Sequence, residues 1–386
     1  MTAADGTSDA DSGDRGDVRD APEETVEALD RGDRGVGVRD RVLVLPSVIC
    51  SRAVADRIAD AAPGAVSAPH DHGCGQMGED RAQTLRAFLG VGSNPNVAGT
   101  VVVGLGCEAV QSDEVATELD ALGVPVRELS IQGAGGTDAC IDAGVRAVAD
   151  LRESRDAGAT TAALSDLTVG VVSGDLSVST RETADPLVGA FVDDLVAAGG
   201  RAVVAGSERV TANPDAAVAA AGPESATRAV ADLVDRHRGQ PSRASRVGRA
   251  AGEHGFEAVT RAWGDPPIGE VLAYGERATL DTGVALVDAP SRFEEAATAL
   301  AAAGAQVVVH VTGEGVPTGH PVVPVCKVSA DDATLSAVGD DVDVDARAVT
   351  AADLRRRVLA VAAGDRTRAE AHGLASMAIT RVGPSM

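Results

Sequence analysis

Short apolar runs alternate with segments of helical periodicity along most of the chain, and this alternation limits the fold more than any other feature. The runs at 42–48 (VLVLPSV), 100–105 (TVVVGL) and 167–174 (LTVGVVSG) are mostly apolar, which is typical of strands buried on both faces. Each is followed by a stretch long enough for a helix. Strands that alternate with helices predict parallel sheets. We therefore expect an α/β fold of tandem, doubly wound, mostly parallel sheets with helices on both faces.

Changes in composition suggest where the domains begin. Residues 1–33 contain many Asp, Gly and Ser residues and few large apolar ones. We therefore expect a disordered acidic leader, with at most a short helix near Glu23–Leu29. The predicted boundaries beyond the leader are a first α/β domain at 34–152 and a second α/β region at 153–386, with linkers near 153–165 and 239–255.

The charge of the chain excludes two classes of partner. Its 58 acidic and 34 basic residues give a formal net charge of −24, a field that repels nucleic acid and anionic lipid. Acid excess, a single lysine and 2% aromatic residues are typical of adaptation to a cytoplasm of high salt, which screens such a surface. We expect a halophilic archaeal source, and an acidic mesophilic enzyme is the alternative.

Cysteine usage and hydropathy predict the compartment. The five cysteines are scattered, with no CxxC pair and no tight framework. The sequence shows neither a signal peptide nor a long apolar span. We expect a soluble, reduced, cytoplasmic protein without a membrane partner.

The densest cluster of reactive side chains is PHDHGCGQMGED at 69–80, at the end of a predicted strand. In α/β folds, ligands bind beyond the carboxyl ends of strands. Imidazole and thiolate groups suit Fe²⁺, Mn²⁺ or Zn²⁺, and histidine also suits proton transfer. The alternative is a glycine-rich turn with ordinary polar side chains. The residues we single out are His70, His72, Cys74 and Gln76.

A second loop, VVVGLGCE at 101–108, also follows an apolar strand. The backbone amides around Gly104 and Gly106, or the carboxylate of Glu108, are candidates to meet a substrate there. GLG lacks the full spacing of a dinucleotide-binding fingerprint. A tight turn between strand and helix explains the glycines equally well.

A third loop, HVTGEGVPTGHP at 310–321, leads to Lys327, the only lysine of the chain. Its glycine-rich turns are candidates to bind carboxylate or hydroxyl groups. Because arginine supplies positive charge everywhere else, a lone lysine at a strand end indicates that an amine is needed. A surface lysine without function is the alternative. The acidic segment DDVDVDA at 340–346 is interpreted as a solvated face rather than a cation site.

In this order, the passages resemble the catalytic region of the altronate/galactarate dehydratase family. The resemblance covers nearly everything from residue 34 onward and is most specific up to Glu108. The matching segments are RGVGVRDRVLVLPSVIC at 34–50, HDHGCGQMGED at 70–80, NPNVAGTVVVGLGCE at 94–108, VLAYGE at 271–276, DAP at 288–290, TGEGVPTGHPVVPVCKV at 312–328 and DVDVDA at 341–346.

The resemblance implies a metal-assisted removal of water from a sugar acid to give a 2-keto-3-deoxy acid, with Fe²⁺ or Mn²⁺ as the divalent ion. A base removes the proton next to the carboxylate, the neighbouring hydroxyl leaves, and the enol becomes the keto acid. The implied catalytic residues are His70, Lys327 and Glu108. The implied substrate-binding residues are Gln76, Gly104, Gly106, Thr312, Gly313, Gly315 and His320. The implied metal ligands are His70, His72, Cys74 and Cys107.

The second half departs from the family pattern. Ser173 stands where family members carry a cysteine, and only Asp185-Pro186 and Gly189 remain of the motif that follows. Glu208 is what is left of an expected glutamate pair. These departures favour a second hypothesis, a diverged and non-catalytic member that binds a sugar acid or a partner subunit.

Two further expectations follow. We expect this chain to lack the small N-terminal domain of many members, and the expected partners are the sugar acid, a separate small-domain subunit and further copies of this chain. If the second half keeps a competent site, Asp175, Arg181, Glu182 and Asp185 should converge on His70. A third hypothesis is a cysteine-dependent hydrolase that pairs Cys74 or Cys107 with a nearby histidine.

Overall fold

Two parallel sheets and one small antiparallel sheet organise the chain in the computed structural model, which describes residues 24–154, 158–238 and 245–383. The strands are β1 (Val26–Asp30), β2 (Val36–Gly37), β3 (Arg41–Pro46), β4 (Ala65–Ser67), β5 (Val97–Gly104), β6 (Val126–Ser130), β7 (Ala159–Ala162), β8 (Thr168–Ser173), β9 (Arg201–Val204), β10 (Ile268–Leu272), β11 (Gly283–Val287), β12 (Val307–Val311), β13 (Val325–Ser329) and β14 (Val344–Asp345). The predicted α/β class with parallel sheets is confirmed.

Helices connect and cover the strands. They are α1 (Arg52–Ala61), α2 (Gly78–Gly92), α3 (Ser112–Ala121), α4 (Thr137–Glu153), α5 (Asp185–Ala197), α6 (Ser207–Ala212), α7 (Pro214–Ala219), α8 (Glu224–Arg238), α9 (Arg246–Ala251), α10 (Phe256–Val259), α11 (Phe293–Ala302), α12 (Asp332–Val338), α13 (Ala351–Ala362) and α14 (Arg368–Ala371). A π-helical turn at Thr180–Ala184 leads directly into α5. In the ranges described, no helix is both long and apolar enough to cross a bilayer.

The four-stranded sheet has the order β4-β3-β5-β6, and all its strands are parallel. After β3 the chain pairs β4 on one side and then crosses to β5 on the other. Helices α1 and α4 cover one face through Ile58 and Ile141, and α2 and α3 cover the other through Phe88 and Leu119. The carboxyl ends of β3 and β5 therefore form a switch point, the usual place for a ligand in such a sheet.

The seven-stranded sheet has the order β10-β11-β9-β8-β12-β13-β14 and is also parallel throughout. Here the order reverses between β8 and β12. One face packs on α5, α8 and α13 through residues such as Phe191, Val230 and Leu354. The other face packs on the alanine-rich α11. The carboxyl ends of β8 and β12 form a second switch point.

The two parallel sheets share one apolar core. Helix α2 of the first sheet packs directly on α11 of the second, and a Cβ at Gly90 would lie 2.6 Å from Ala302 Cβ. Asn94 donates to Ala301 O at 2.8 Å, and Asn96 donates to Gln306 O at 2.9 Å. These buried amides fix the two sheets against each other.

The leader and the first linker differ from the prediction where the structure describes them. Residues Val26–Asp30 form a strand rather than a disordered or helical segment, and β1 pairs antiparallel with β7 of the predicted linker. Ala28 and Ala162 are buried in this pair. In the second linker, residues Arg246–Ala251 form α9. The rest of these predictions, at 1–23, 155–157 and 239–244, lies outside the described residues.

Candidate functional site

Three loops meet at the carboxyl edge of the four-stranded sheet. They follow β3 at Ser47, β4 at 68–77 and β5 at 105–111. Ile49 N donates to His72 O at 2.8 Å. Gly73, with a φ of 94°, lies so close to Ser47 O that any Cβ would collide with it. The structure therefore brings the HDHGCGQ and GLGCE passages together at this switch point.

Glu108 organises the loop after β5. Its Oε2 accepts from Gly106 N at 2.7 Å and Cys107 N at 2.9 Å, and its Oε1 accepts from Ser47 Oγ at 2.9 Å. Burial alone raises the pKa of Glu108, but these hydrogen bonds outweigh burial and hold the pKa below its usual value. The amide of Gly106, which the sequence offered to a substrate, is thus bonded to an ionised Glu108. Sequence reasoning missed Ser47, although its place directly after an apolar strand was a usable signal.

Gly104 is needed because Glu108 and Ser112 approach its backbone. A Cβ at this position would collide with Glu108 Oε1 and Ser112 Oγ. We expect Gly104→Ala to lower the free energy of unfolding by about 1–3 kcal/mol through overpacking, measured by urea denaturation. Gly158→Ala is the matched control, because its Cβ meets open space. A Gly104→Ala variant as stable as this control would contradict the prediction.

His70 is buried and bonded through both ring nitrogens. Nε2 lies 2.6 Å from Pro46 O, so it carries the hydrogen, and Nδ1 accepts from His72 N at 3.1 Å. The ring also packs on Phe88, with centroids 4.8 Å apart. Burial lowers the pKa of His70 to about 3, so the imidazole is neutral. This geometry fixes the turn and leaves neither nitrogen for a proton or a metal ion.

His72 connects the same loop to the C-terminal segment. Its Nε2 accepts from Ile379 N at 3.0 Å, and within the described chain its Nδ1 has no hydrogen-bond partner. Burial lowers the pKa of His72 to about 4. Gln76, another predicted ligand, accepts from Gly73 N at 3.2 Å through Oε1. The hydrogen bonds of His72 and Gln76 therefore stabilise the conformation of the loop after β4.

The predicted metal set does not fit this arrangement. The described residues contain no group of three His, Cys, Asp or Glu side chains placed to hold a metal ion. His70 has both nitrogens engaged, and Cys74 and Cys107 are exposed. No hydrogen bond among the described residues joins His70 or His72 to a thiol. The cysteine-dependent hydrolase is therefore not supported.

The glycine-rich loop after β12 meets the loop after β8 at the second switch point. Asp175 accepts from Gly313 N at 2.6 Å, Ser177 N at 2.9 Å and Thr180 Oγ1 at 2.7 Å. Thr312 Oγ1 accepts from Gly315 N at 3.1 Å. The predicted ligands Thr312, Gly313 and Gly315 are thus placed at this edge, and the backbone amide of each is already bonded within the protein.

Arg209, on α6, bonds to three other segments of this edge. Its side chain is fully buried and donates to Val259 O at 2.7 Å, to Ser173 O at 2.8 Å and to Ser291 Oγ. Glu208 accepts from Ser291 N at 2.9 Å. No pattern in the sequence indicates Arg209, because its burial depends on how distant segments pack.

Lys327 and His310 are register partners on β13 and β12, and both are buried. Of the residues described, none bonds to Lys327 Nζ or His310 Nδ1. Burial lowers the pKa of Lys327, and burial followed by the Lys327 charge lowers the pKa of His310 to about 3. Lys327 is therefore not a surface lysine, and its role in binding or catalysis stays a prediction.

The acidic segment at 340–346 also differs from the expected solvated face. The side chain of Asp343 is fully buried and accepts from Lys327 N at 2.9 Å and from Arg357 Nη2 at 3.0 Å. Asp345 binds Arg347 at 2.7 Å. Asp343 and Asp345 thus pair with neighbouring cations or amides, which explains why the segment carries these carboxylates.

His320, another predicted substrate-binding residue, lies away from the second switch point. It lines a cleft of about 800 Å³ with Arg41, Arg366 and strand β4. Its Nδ1 accepts from Val322 N at 3.3 Å, and its Nε2 has no hydrogen-bond partner in the described ranges. It does not join Thr312 and Gly313 at the second switch point.

The C-terminal segment links the two groups of loops. Ser376 N donates to Gly319 O at 3.0 Å, and Ile379 N donates to His72. Asp185, however, has Arg209, Asp175 and Arg181 as its charged neighbours, and none of these lies among the residues that act on His70. Glu182 is not among the groups that act on His70 either. The expected convergence of Asp175, Arg181, Glu182 and Asp185 on His70 is therefore not seen in the described part of the chain.

Comparison with known proteins identifies similar chains. Residues 28–156 match the model of the second domain of D-galactarate dehydratase/altronate hydrolase. Residues 257–385 match the model of the D-galactarate/altronate dehydratase C-terminal domain. The two matches together cover well over half of the chain.

Three relatives show how far the similarity extends. Altronate dehydratase of Bacillus subtilis is 29% identical over 80% of this chain and 66% of its own length, and that of Escherichia coli is 27% identical over 84% and 70%. The (2R)-sulfolactate sulfo-lyase subunit beta of Chromohalobacter salexigens is 27% identical over 91% and 96%. The chain thus spans about two thirds of the altronate dehydratases and nearly all of the sulfo-lyase subunit.

Proposed function

The chain belongs to the D-galactarate/altronate dehydratase family, and from this premise we propose that it is a lyase that removes water from a sugar acid. The observation that carries the proposal is the match to two successive domains of that family, at 28–156 and 257–385. The buried, unpaired amine of the only lysine supports it, because an ionisable group of this kind is typical of functional sites. The product would be a 2-keto-3-deoxy acid.

The proposed chemistry depends on a proton next to a carboxylate. When that proton leaves, negative charge develops on the carboxylate oxygens, and we assign Lys327 to hold and stabilise them. The electron pair of the C–H bond forms a C=C bond, and the neighbouring hydroxyl leaves as water. The resulting enol takes a proton on carbon and becomes the keto acid. Glu108 and His70 are assigned to positioning, because the hydrogen bonds of each hold loops together.

A requirement for Fe²⁺ or Mn²⁺ is a separate proposal, and no step above depends on it. It is tested by dialysis against a chelator, followed by addition of each metal without oxygen. Loss of turnover that one metal restores would support the requirement. Turnover that survives exhaustive chelation would contradict it.

A second candidate is the elimination of sulfite from sulfolactate. The observation that favours it is the length of the match. This chain aligns with 96% of the length of a sulfo-lyase subunit but with 66% of the length of an altronate dehydratase. The chemistry differs only in the leaving group, because the same proton next to the carboxylate is removed. The same relative favours a separate small subunit as a partner of this chain.

The experiment measures 2-keto acid and sulfite after incubation with aldonates, aldarates and sulfolactate in molar KCl. Keto acid without sulfite, formed from a sugar acid, supports the dehydratase. Sulfite released from sulfolactate supports the second candidate. A folded protein that binds one of these acids without turnover supports the non-catalytic hypothesis.

We also propose that concentrated salt is the natural solvent of the chain. Salt screens repulsion within a surface of net charge −24. The melting temperature is therefore expected to rise by several degrees when KCl increases from dilute to molar, measured by circular dichroism. A melting temperature that stays constant or falls would contradict this proposal.

A further inference from the structure

His320 carries a buried N–H group for which the described chain offers no acceptor. The backbone amide of Val322 can only donate, and it donates to Nδ1 of His320 at 3.3 Å. Burial, with the charge of Arg41 as a second cause, lowers the pKa of His320 to about 3, so the ring is neutral and its hydrogen is on Nε2. His320 is 5% exposed, and among the described residues Nε2 has no hydrogen-bond partner. A buried donor without an acceptor destabilises a fold, so it needs an explanation other than stability.

Arg41 carries a second donor of the same kind. Its Nη2 pairs with Glu370 Oε1 at 2.6 Å, but its Nε is buried and, across the described ranges, bonds to no acceptor. The charge of Arg41 lowers the pKa of His320, so the two side chains lie close to each other. Two unused N–H groups at one place suit a carboxylate, which has two accepting oxygens and is attracted by the arginine.

Both residues line the same cleft, and its walls come from both halves of the chain. Its volume of about 800 Å³ is within the range of small-molecule sites. Arg41 begins β3, and Ser67 of β4 lines the cleft beside it. His320 belongs to the loop before β13, and Leu374 of the lining follows α14. Ligand sites occur preferentially at such junctions between domains.

The charges of the cleft favour a small acid with a single negative charge. The ionisable residues of the lining, besides His320, are Arg39, Arg41, Arg366, Asp40, Asp56, Asp60 and Glu370. Three of the carboxylates already have partners, which are Arg39 and Arg41 for Glu370, Arg31 for Asp40, and Ser67 Oγ for Asp56. This near balance of charge disfavours a polyanion. Hydroxyl groups suit the same lining, because a hydroxyl both donates to carboxylates and accepts from arginines.

We propose that this cleft binds a hydroxy acid with one carboxylate, whose oxygens accept from His320 Nε2 and Arg41 Nε. The site is separate from the one assigned to Lys327. That lysine is not among the described residues that line the cleft, and its charge acts on His310 rather than on His320. The inference goes beyond the proposed function and requires no turnover. The bound acid joins the two halves of the chain, because each half supplies one donor.

The test measures gluconate binding by calorimetry in molar KCl. The parent protein is the full chain with Lys327→Met, so that the proposed catalytic site does not contribute. Sorbitol, which has the hydroxyl groups without the carboxylate, is the matched probe. We expect gluconate to bind, and sorbitol to bind at least about tenfold more weakly, because hydrogen bonds to a charged acceptor are the stronger ones. Equal binding of the two, or no binding of gluconate, would overturn the inference and indicate that water alone meets these donors.

Two substitutions of His320 separate binding from a structural role. Asparagine carries an oxygen near the place of Nδ1, which accepts from Val322 N, but it has no donor near Nε2. Glutamine carries an amide nitrogen near the place of Nε2. We expect His320→Asn to bind gluconate at least about tenfold more weakly than the parent, and His320→Gln to bind it more tightly than His320→Asn. Equal affinities in the parent and His320→Asn, or the reverse order of the two variants, would overturn the inference.

Arg41→Lys tests the second donor and keeps the experiment decisive if His320→Asn does not fold. Lysine retains the positive charge beside Glu370 and lacks the Nε–H group. We expect this variant to bind gluconate at least about tenfold more weakly, whereas Arg228→Met, an exposed position on α8, should keep the affinity of the parent. Urea denaturation shows that each variant is folded. A folded Arg41→Lys variant with the parent affinity for gluconate would overturn the inference.

Discussion

Replacing Lys327 with methionine is expected to lower turnover by about 10²- to 10³-fold, the usual effect of losing one preorganised charge at a developing anion. The fold should be at least as stable as before. Lys327 is fully buried, and among the described residues its amine has no hydrogen-bond partner. Methionine keeps most of the side-chain volume and removes the unpaired group, so stability and activity should change in opposite directions.

Lys327→Arg distinguishes an amine from a positive charge. Arginine is larger and carries its charge on a planar fork, so we expect this variant to be inactive as well. Turnover is measured as keto-acid release, and stability by urea denaturation in molar KCl. Full activity in the methionine variant would remove Lys327 from the site. Because the chain has one lysine, reductive methylation with ¹³C labels only Lys327 and the N-terminal amine, and NMR then gives the pKa of each directly.

Arg209→Met is expected to lower the free energy of unfolding by about 3–5 kcal/mol, the range for removing one partner of a buried charged network. The substitution leaves the carbonyls of Ser173 and Val259 without their donor and removes a cation beside Asp185. Because both carbonyls are buried with this side chain, water does not replace the lost bonds.

The matched control is Arg228→Met on α8, where the side chain is 69% exposed and pairs with Glu224. We expect this control to stay within about 0.5 kcal/mol of the wild type. Urea denaturation in molar KCl measures both variants. If Arg209→Met and Arg228→Met lower the free energy of unfolding equally, the buried guanidinium does not hold the loops together.

The sequence predicted the parallel sheets and the first group of loops because both depend on local patterns. The apolar runs at 42–48, 100–105 and 167–174 correspond to β3, β5 and β8. The family resemblance implied that residues of the loops at 70–76 and 104–108 share one site, and both loops bond to the segment after β3. Local periodicity and strand direction were sufficient for this part.

The sequence-based predictions are wrong where contacts between segments distant in the chain determine the local structure. Strand β1 forms because it pairs with β7, more than a hundred residues later, and its own composition resembles a solvated tail. His70 looked like a free imidazole, but Pro46 O and His72 N engage both of its nitrogens. Asp185 stood out only as the remnant of a family motif and Arg209 did not stand out at all, and the burial of both depends on packing. Hydrogen-bond partners of this kind cannot be read from spacing.

The most direct test of the proposed elimination is proton NMR of the reaction in D₂O. We expect galactarate, or another sugar acid found active, to give a 2-keto-3-deoxy acid with one deuterium on the carbon that lost the hydroxyl, because the enol takes its proton from solvent. Spectra at early times precede slow exchange of the product. A keto acid that carries no deuterium there, or the absence of any keto acid from every sugar acid and from sulfolactate, would contradict the account.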